Sequence, residues 1–277
     1  MWVEMGYTLR HHRGQIIGWG LGLALYVLLM VSMYSDISTI DFQIFMEYYP
    51  EEIMSFFGGF NFSTPQGYLD IYFFNYMTII VGIFAVNAAA KLIVEDEEDG
   101  LLDLIITYPK SRTGIFWGRV LGYLVTLIII LFITWACWVI PSQEIGMDLT
   151  VGELTRPYLG LLGQLFLFGS LGLLLSMVLP AARLASMTAG GLLIANYLVI
   201  GLSNINQDLV KIVEYTPLHY YQGGYAILGI EWENLVISYS FGLLFALLAW
   251  WRFVRRDLRV AGEGGWSLRD PLPSSQA

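Results

Sequence analysis

The chain has 277 residues, of which 56% are hydrophobic and only 13% charged. Soluble domains carry about 25% charged residues, so a soluble globular enzyme is excluded and a membrane protein of several spans is indicated. The net charge of −9 comes mostly from loop acids and one acidic run, and no basic groove or stacking platform for nucleic acid is visible.

Residues 1–14 place Trp2, Met5 and Leu9 at helical spacing, ahead of Arg10, His11, His12 and Arg13. This is the pattern of a short helix lying on a membrane surface. Six stretches then lack any Asp, Glu, Lys, Arg or His: residues 16–33, 71–90, 120–140, 158–179, 184–203 and 235–251. Each is close to the roughly 20 residues that cross a hydrocarbon core of about 30 Å as a helix. The first reads as an uncleaved anchor, because no convincing small-x-small cleavage site follows it.

The connections differ in character. Residues 34–70 are long and aromatic. Within them Pro50, Glu51, Glu52, Ile53, Met54, Phe56 and Phe57 precede Gly58, which predicts one short helix with proper ends. Ser63-Thr64-Pro65 predicts a turn before the second span. Residues 141–157 form a short acidic loop, and residues 180–183 a minimal one. Residues 204–234 are too apolar for a free loop, yet too broken by Pro217, Gly223, Gly224 and Gly229 for a span. Short re-entrant helices dipping into the outer leaflet fit there, with Tyr215, Tyr220, Tyr221 and Tyr225 at headgroup depth. The basic tail, residues 257–277, ends in Gly, Pro and Ser and reads as flexible.

The most informative connection is the hairpin over residues 95–115, EDEEDGLLDLIITYPKSRTGI. On a helix, Leu101, Leu104, Ile105 and Tyr108 form one stripe, while Asp103 and Thr107 point away. Gly100 supplies the turn into this helix and Pro109 ends it. The acids Glu95 to Asp99 lie just ahead of its N-terminus, where the dipole favours negative charge by about 0.3–1 kcal/mol. Burying such a stripe is worth roughly 1.5–3 kcal/mol per side chain, so the patch asks for a soluble partner.

Orientation follows from the fourteen basic residues. With both termini in the cytosol, twelve of them lie inside: Arg10, Arg13, Lys91, Lys110, Arg112, Arg119, Arg183, Arg252, Arg255, Arg256, Arg259 and Arg269. Only Arg156 and Lys211 lie outside, and the positive-inside rule therefore places the hairpin in the cytosol as well.

No catalytic constellation appears. There is no GxxxxGK[ST] loop, no HExxH helix and no Cys/His cluster for a metal. Cys137 is the single cysteine and falls inside a span. His11 and His12 are adjacent and make a poor ligand pair. The span cores hold no Asp, Glu, Lys, Arg or His, which argues against a proton-driven transporter and implies that energy enters from outside the chain.

Neutral polar residues remain in the spans: Asn75, Thr78 and Asn87 in the second, Gln164 in the fourth, and Asn196, Tyr197 and Ser203 in the fifth. They read either as a substrate path or as interhelical hydrogen bonds worth about 0.6 kcal/mol each. Gly18 with Gly22, Ser186 with Gly190, and Ser238 with Gly242 and Ala246 are close-packing faces.

At the hairpin the sequence resembles the membrane subunits of type 2 superfamily ATP-binding-cassette (ABC) exporters. Those subunits show an acidic stretch, a Gly, an acidic-apolar helix, Pro-x-Ser-Arg, and Gly-Lys or Gly-Arg before the third span. Here these are Glu95 to Asp99, Gly100, Leu101 to Ile106, Pro109-Lys110-Ser111-Arg112 and Gly118-Arg119. The usual Gly-Thr-Leu is Gly100-Leu101-Leu102, a mild departure.

The resemblance implies one all-α permease domain over residues 1–277 with the type V exporter fold. That fold has six transmembrane helices, an N-terminal interfacial helix, a cytosolic coupling hairpin between spans two and three, and short re-entrant helices before span six. It implies a multi-pass protein of a prokaryotic cytoplasmic membrane, in contact with lipid. A separate nucleotide-binding ATPase subunit would hold ATP and Mg, leaving this chain without a cofactor, and a second permease subunit would complete the transporter. The docking residues would be Glu97, Glu98, Gly100, Leu101, Leu104, Ile105, Tyr108, Pro109 and Arg112. Spans two and five would face the substrate path through Asn75, Thr78, Asn87, Asn196 and Tyr197. The competing expectations are a membrane scaffold or sensor that recruits a non-ATPase cytosolic protein through the same hairpin, and a membrane-embedded enzyme, which the missing catalytic groups disfavour.

Overall fold

The apolar stretches become six long helices, each extending beyond the charge-free core that announces it. They are Arg13–Ser38, Pro65–Glu98, Arg112–Val139, Val151–Val178, Ala182–Ser203 and Trp232–Arg255, taken here as spans one to six. The structure is a computed structural model and describes residues 1–39, 51–56, 58, 63–98 and 111–255. Among these residues there is no strand. The hairpin residues Gly100, Leu101, Leu104, Ile105, Tyr108 and Pro109, and the expected tail over 257–277, lie outside the described residues.

Local chemistry at the N-termini explains the extra length. Thr64 accepts the Gly67 N–H at 3.3 Å with Pro65 at the first helical position, so the second span starts at the expected turn. Ser111 accepts the Gly114 N–H at 3.1 Å and starts the third. The fourth begins at Val151, well before the expected residue 158, because Thr150 and Glu153 form a capping box. The Thr150 N–H reaches Glu153 Oε2 at 2.8 Å, and the Glu153 N–H reaches Thr150 Oγ1 at 3.3 Å. Pro157 then sits inside that helix rather than ending the loop. The charge-free criterion missed this first turn because Glu153 and Arg156 belong to it.

Spans two and four occupy the centre, each 72% buried along its most apolar window, against 22% for spans one, five and six. Span four packs on spans two, five and six, whereas span one and the N-terminal helix pack on span three. Rings of Phe73, Phe74, Trp138 and Tyr158 meet where spans two, three and four converge, with Phe74 and Tyr158 edge to face at 5.1 Å. Of the three small-residue faces, Ser238, Gly242 and Ala246 are buried between spans six and four, with Gly242 against Phe166. Gly18, Gly22 and Gly190 have open space before them within this chain. Gln164 takes the interhelical role, donating to Ser238 Oγ at 3.0 Å and to the Pro217 carbonyl at 3.2 Å.

The expected N-terminal helix runs over Trp2–His11. Trp2 and Val3 are exposed while Glu4 and Thr8 are buried, so its polar face turns inward. Glycines on span three allow this approach. A Cβ on Gly118 would lie 2.6 Å from the Met1 carbonyl oxygen, and one on Gly122 would lie 2.6 Å from Thr8 Cβ. Gly114, Gly118 and Gly122 recur every four residues and so line one face.

Arg119 fills the space beside them and is 1% exposed. Its guanidinium meets Asp96 at 2.5 Å and Glu4 at 3.6 Å, donates to the Leu92 carbonyl at 2.9 Å, and lies 5.4 Å from the Tyr7 ring centre. One cation thus joins the N-terminal helix, the end of span two and the start of span three. The acidic run is accordingly no simple solvated face. Asp96 and Glu97 are buried, and Glu95 pairs with Lys91 at 3.4 Å and His11 at 3.6 Å. His12 turns the other way, with Nδ1 3.3 Å from Thr126 Oγ1. Burial, reinforced by neighbouring His11, pushes the His12 ring down to about 4, so it is neutral at neutral pH.

Two outcomes follow for the purified chain in detergent. Gly118→Val forces the N-terminal helix off span three and costs about 1–3 kcal/mol, seen as a lower midpoint of thermal unfolding. Gly6→Ala, where nothing lies within 4 Å, leaves the midpoint unchanged or raised; equal midpoints for both variants would contradict the packing described. Arg119→Leu removes the cation that meets the buried Asp96 and Glu4 carboxylates and costs about 3–5 kcal/mol. The double variant Arg119→Leu/Asp96→Leu recovers a large part of that loss, and a double variant no better than the single would contradict the pairing.

Candidate functional site

Most of the described residues singled out by the sequence fall in two regions, one at each end of span two. At the end holding Arg119, span two closes on Glu97 and Glu98 as the chain enters the hairpin. Glu98 accepts the Ala182 N–H at 3.0 Å. Ala181, the N-cap of span five, has no side-chain cap of its own, and the Glu98 carboxylate supplies one from another helix. On the far side of the hairpin, Arg112 donates to the Val254 carbonyl at 3.3 Å, joining the start of span three to the last turn of span six. The end of span two and the start of span three are therefore fastened to spans five and six.

At the opposite end a cavity of about 220 Å³ opens between spans two and five and the broken segment before span six. Asn75, Thr78 and Tyr197 all line it. The Tyr197 hydroxyl donates to Asn75 Oδ1 at 2.6 Å, directly joining the two spans. Phe56 of the short loop helix Glu51–Phe56 stands edge-on to Tyr197 at 6.3 Å. Asn87 and Asn196 do not line this cavity. Asn87 lies farther down span two, where it accepts from Ser186 Oγ at 3.3 Å, and Asn196 donates to the Leu192 carbonyl of its own helix at 2.9 Å.

The floor of the cavity rests on a local irregularity. Asp70–Phe74 form a π-turn within span two, a feature that shifts helix register and is frequent at functional sites. The Phe74 carbonyl accepts both the Thr78 and the Tyr221 hydroxyls, each at 3.1 Å. Asp70, 8% exposed, accepts the Gly224 N–H at 2.7 Å.

That contact requires glycine. Gly223 has φ +57°, and a Cβ on Gly224 would stand 2.7 Å from the Asp70 nitrogen. The segment around them is a run of short helices, Gln207–Leu209, Val210–Val213, Pro217–Tyr220 and Gly223–Ile227. Its Leu218, Ala226 and Ile227 are buried against the bundle, and Arg156 donates to the Ile227 carbonyl at 2.8 Å.

Asp70, Tyr221, Gly223 and Gly224 were not singled out as site residues by the sequence. Asp70 bounds a charge-free stretch and so reads as the last loop residue. The two glycines read only as helix breakers. The available signal was the coincidence of a carboxylate at a span end with a Gly-Gly pair in an apolar, broken segment.

Comparison with known families places this geometry. A family model described as ABC-2 family transporter protein matches residues 8–258, from within the N-terminal helix to just beyond span six. A comparison with curated proteins found no match. With nearly the whole chain matched and six apolar helices long enough to cross a bilayer, the protein belongs to the ABC-2 transporter family and is a multi-pass membrane permease.

Proposed function

We propose that this chain is the membrane-spanning subunit of an ATP-driven exporter. A separate nucleotide-binding subunit docks on the hairpin after span two, through the stripe of Leu101, Leu104, Ile105 and Tyr108. ATP and Mg are held by that subunit, and a second permease, identical or paralogous, completes the path. Both termini and the hairpin face the cytosol, and the 204–234 segment enters the outer leaflet from the other side. The substrate path runs between spans two and five, past Asn75, Thr78 and Tyr197 at one level and Asn87 and Asn196 at others.

The observation that carries this reading is the continuity of span two. It is one helix of 34 residues, about 51 Å long at 1.5 Å per residue. One end is tied through Asp96 and Arg119 to the N-terminal helix and stops at Glu98, directly before the proposed docking segment in sequence. The other end carries the cavity wall and the Asp70 contact to Gly224. A push on the hairpin is therefore delivered to the cavity by a rigid rod, rather than dissipated in a loop. Glu97, Glu98, Gly100, Pro109 and Arg112 frame the two roots through which that push passes.

Orientation is tested by thiol labelling in a background lacking Cys137. A cysteine at Ser111 reacts with a membrane-impermeant reagent only after the cytosolic face is opened; labelling on intact cells contradicts the orientation. Docking is tested by Leu104→Asp, which removes apolar contact worth about 2–3 kcal/mol, or roughly 30–150-fold in affinity, and leaves a carboxylate unpaired in the contact. The variant inserts normally but loses the co-purifying ATPase subunit and transport-linked ATP turnover, whereas Asp103→Asn on the opposite face does much less. Full partner binding and full transport in Leu104→Asp would remove the hairpin as the coupling element.

A further inference from the structure

We infer that the cavity between spans two and five is a binding site for an organic cation, with the Asp70 carboxylate as counter-ion and aromatic side chains as its walls. This deepens the proposed function, since it names the substrate class of the proposed path.

Charge is the first argument. Among the described residues Asp70 is the only carboxylate lining the cavity, and no Lys, Arg or His lines it. The Asp70 carboxylate accepts the Gly224 N–H, so among the described residues the negative charge is met by one backbone dipole and by no cation. A buried carboxylate is costly without a counter-charge, and a cationic ligand supplies what the protein leaves out. Lys211, which falls between the lining residues Asn204 and Leu218 in sequence, does not line the cavity, and Arg156 on span four is turned to the Ile227 carbonyl.

Hydrogen-bond polarity is the second argument. The hydroxyl protons of Thr78, Tyr197 and Tyr221 are all spent on protein acceptors, Phe74 O, Asn75 Oδ1 and Phe74 O respectively. The Gln222 amide is likewise engaged, donating to the Gly229 carbonyl and accepting from the Glu231 N–H. The Asn204 amide donates to the Phe56 carbonyl at 3.4 Å, so apart from the Asn75 amide N–H the side chains of the cavity present oxygen lone pairs and ring faces, a lining suited to a positively charged group that needs few donors.

Size and wall chemistry are the third argument. About 220 Å³ is far more than a bare metal ion fills. Phe56, Tyr197, Tyr221 and Tyr225 contribute rings to the lining, and ring faces attract ammonium groups, most strongly where water is excluded. A substituted ammonium of a few carbons satisfies charge, polarity and size together. Such a group reaches the cavity either as a free solute or as the choline headgroup of a lipid.

The test uses the full-length chain in nanodiscs and radiolabelled choline in equilibrium dialysis. In phosphatidylglycerol nanodiscs, choline binds saturably and 3,3-dimethylbutan-1-ol, its neutral isostere, does not compete. Asp70→Asn, which keeps an oxygen for the Gly224 N–H, weakens choline binding by about ten-fold or more. Tyr197→Leu weakens it by about three-fold or more, and stands as the test if Asp70→Asn fails to fold. Repeating the assay in phosphatidylcholine nanodiscs separates the two sources, because a headgroup ligand already in place abolishes choline uptake there, whereas a free solute site still fills. Absence of saturable binding in phosphatidylglycerol, equal competition by the neutral isostere, or unchanged binding in the folded variants overturns the assignment. Choline binding with no ATPase docking at the hairpin would leave the cation site standing and remove the transporter reading, and the reverse pattern would do the opposite.

Discussion

A single guanidinium organises the basic end of the molecule. Arg119 is inside the protein, so its charge must be met there, and it is met by residues from two other helices, Asp96 and Glu4. Neither ion pair need add much stability over an apolar packing of the same volume. What the pairs add is mutual dependence, since each helix supplies one of the two carboxylates that meet the buried guanidinium. The glycine face of span three belongs to the same device, because only without Cβ atoms at Gly118 and Gly122 do Glu4 and Thr8 come close enough. The result is a composite of the N-terminal helix, the foot of span two and the head of span three.

Span two carries that composite to the other end of the bundle. It is buried along most of its length against span four, and it changes register once, at the π-turn Asp70–Phe74. There the helix meets the broken segment before span six through Asp70 and Gly224, and through Tyr221 on the Phe74 carbonyl. The wall of the cavity and the Asp96–Arg119 pair thus lie at two ends of one element. The peripheral positions of spans one, five and six leave large apolar side chains such as Leu25, Met187 and Val236 exposed, as lipid or a neighbouring subunit requires.

Much of this was legible in the sequence, and the limits are physical. A charge-free run of about 20 residues has few stable environments other than a bilayer, so six spans could be read directly, with ends misjudged wherever a cap such as Thr150–Glu153 added a polar first turn. Asn75, Thr78 and Tyr197 were legible as polar residues on two spans, and the fold brings them to one cavity. Asp70 was not, because its role is set by a partner 154 residues away. Arg119 and the acidic run read as flanking charges, because local pattern cannot reveal that a short amphipathic helix at the start of the chain will cover them. Asn87 and Asn196 sit on the same two spans but away from the cavity, since a spacing along a helix names a face and leaves the depth of the neighbouring helix undetermined.

The central claim is that the N-terminal helix and span two move as one body while the cavity changes shape. Distances between paired spin labels test it most directly in the permease assembled with the ATPase subunit proposed for it. Val3 and Ile83 are exposed positions on the N-terminal helix and span two, and Tyr76 and Leu198 are exposed positions near the cavity on spans two and five. On adding ATP, the account predicts an unchanged Val3–Ile83 distance and a shifted Tyr76–Leu198 distance. A Val3–Ile83 distance that changes with nucleotide, or a Tyr76–Leu198 distance that does not, would contradict it.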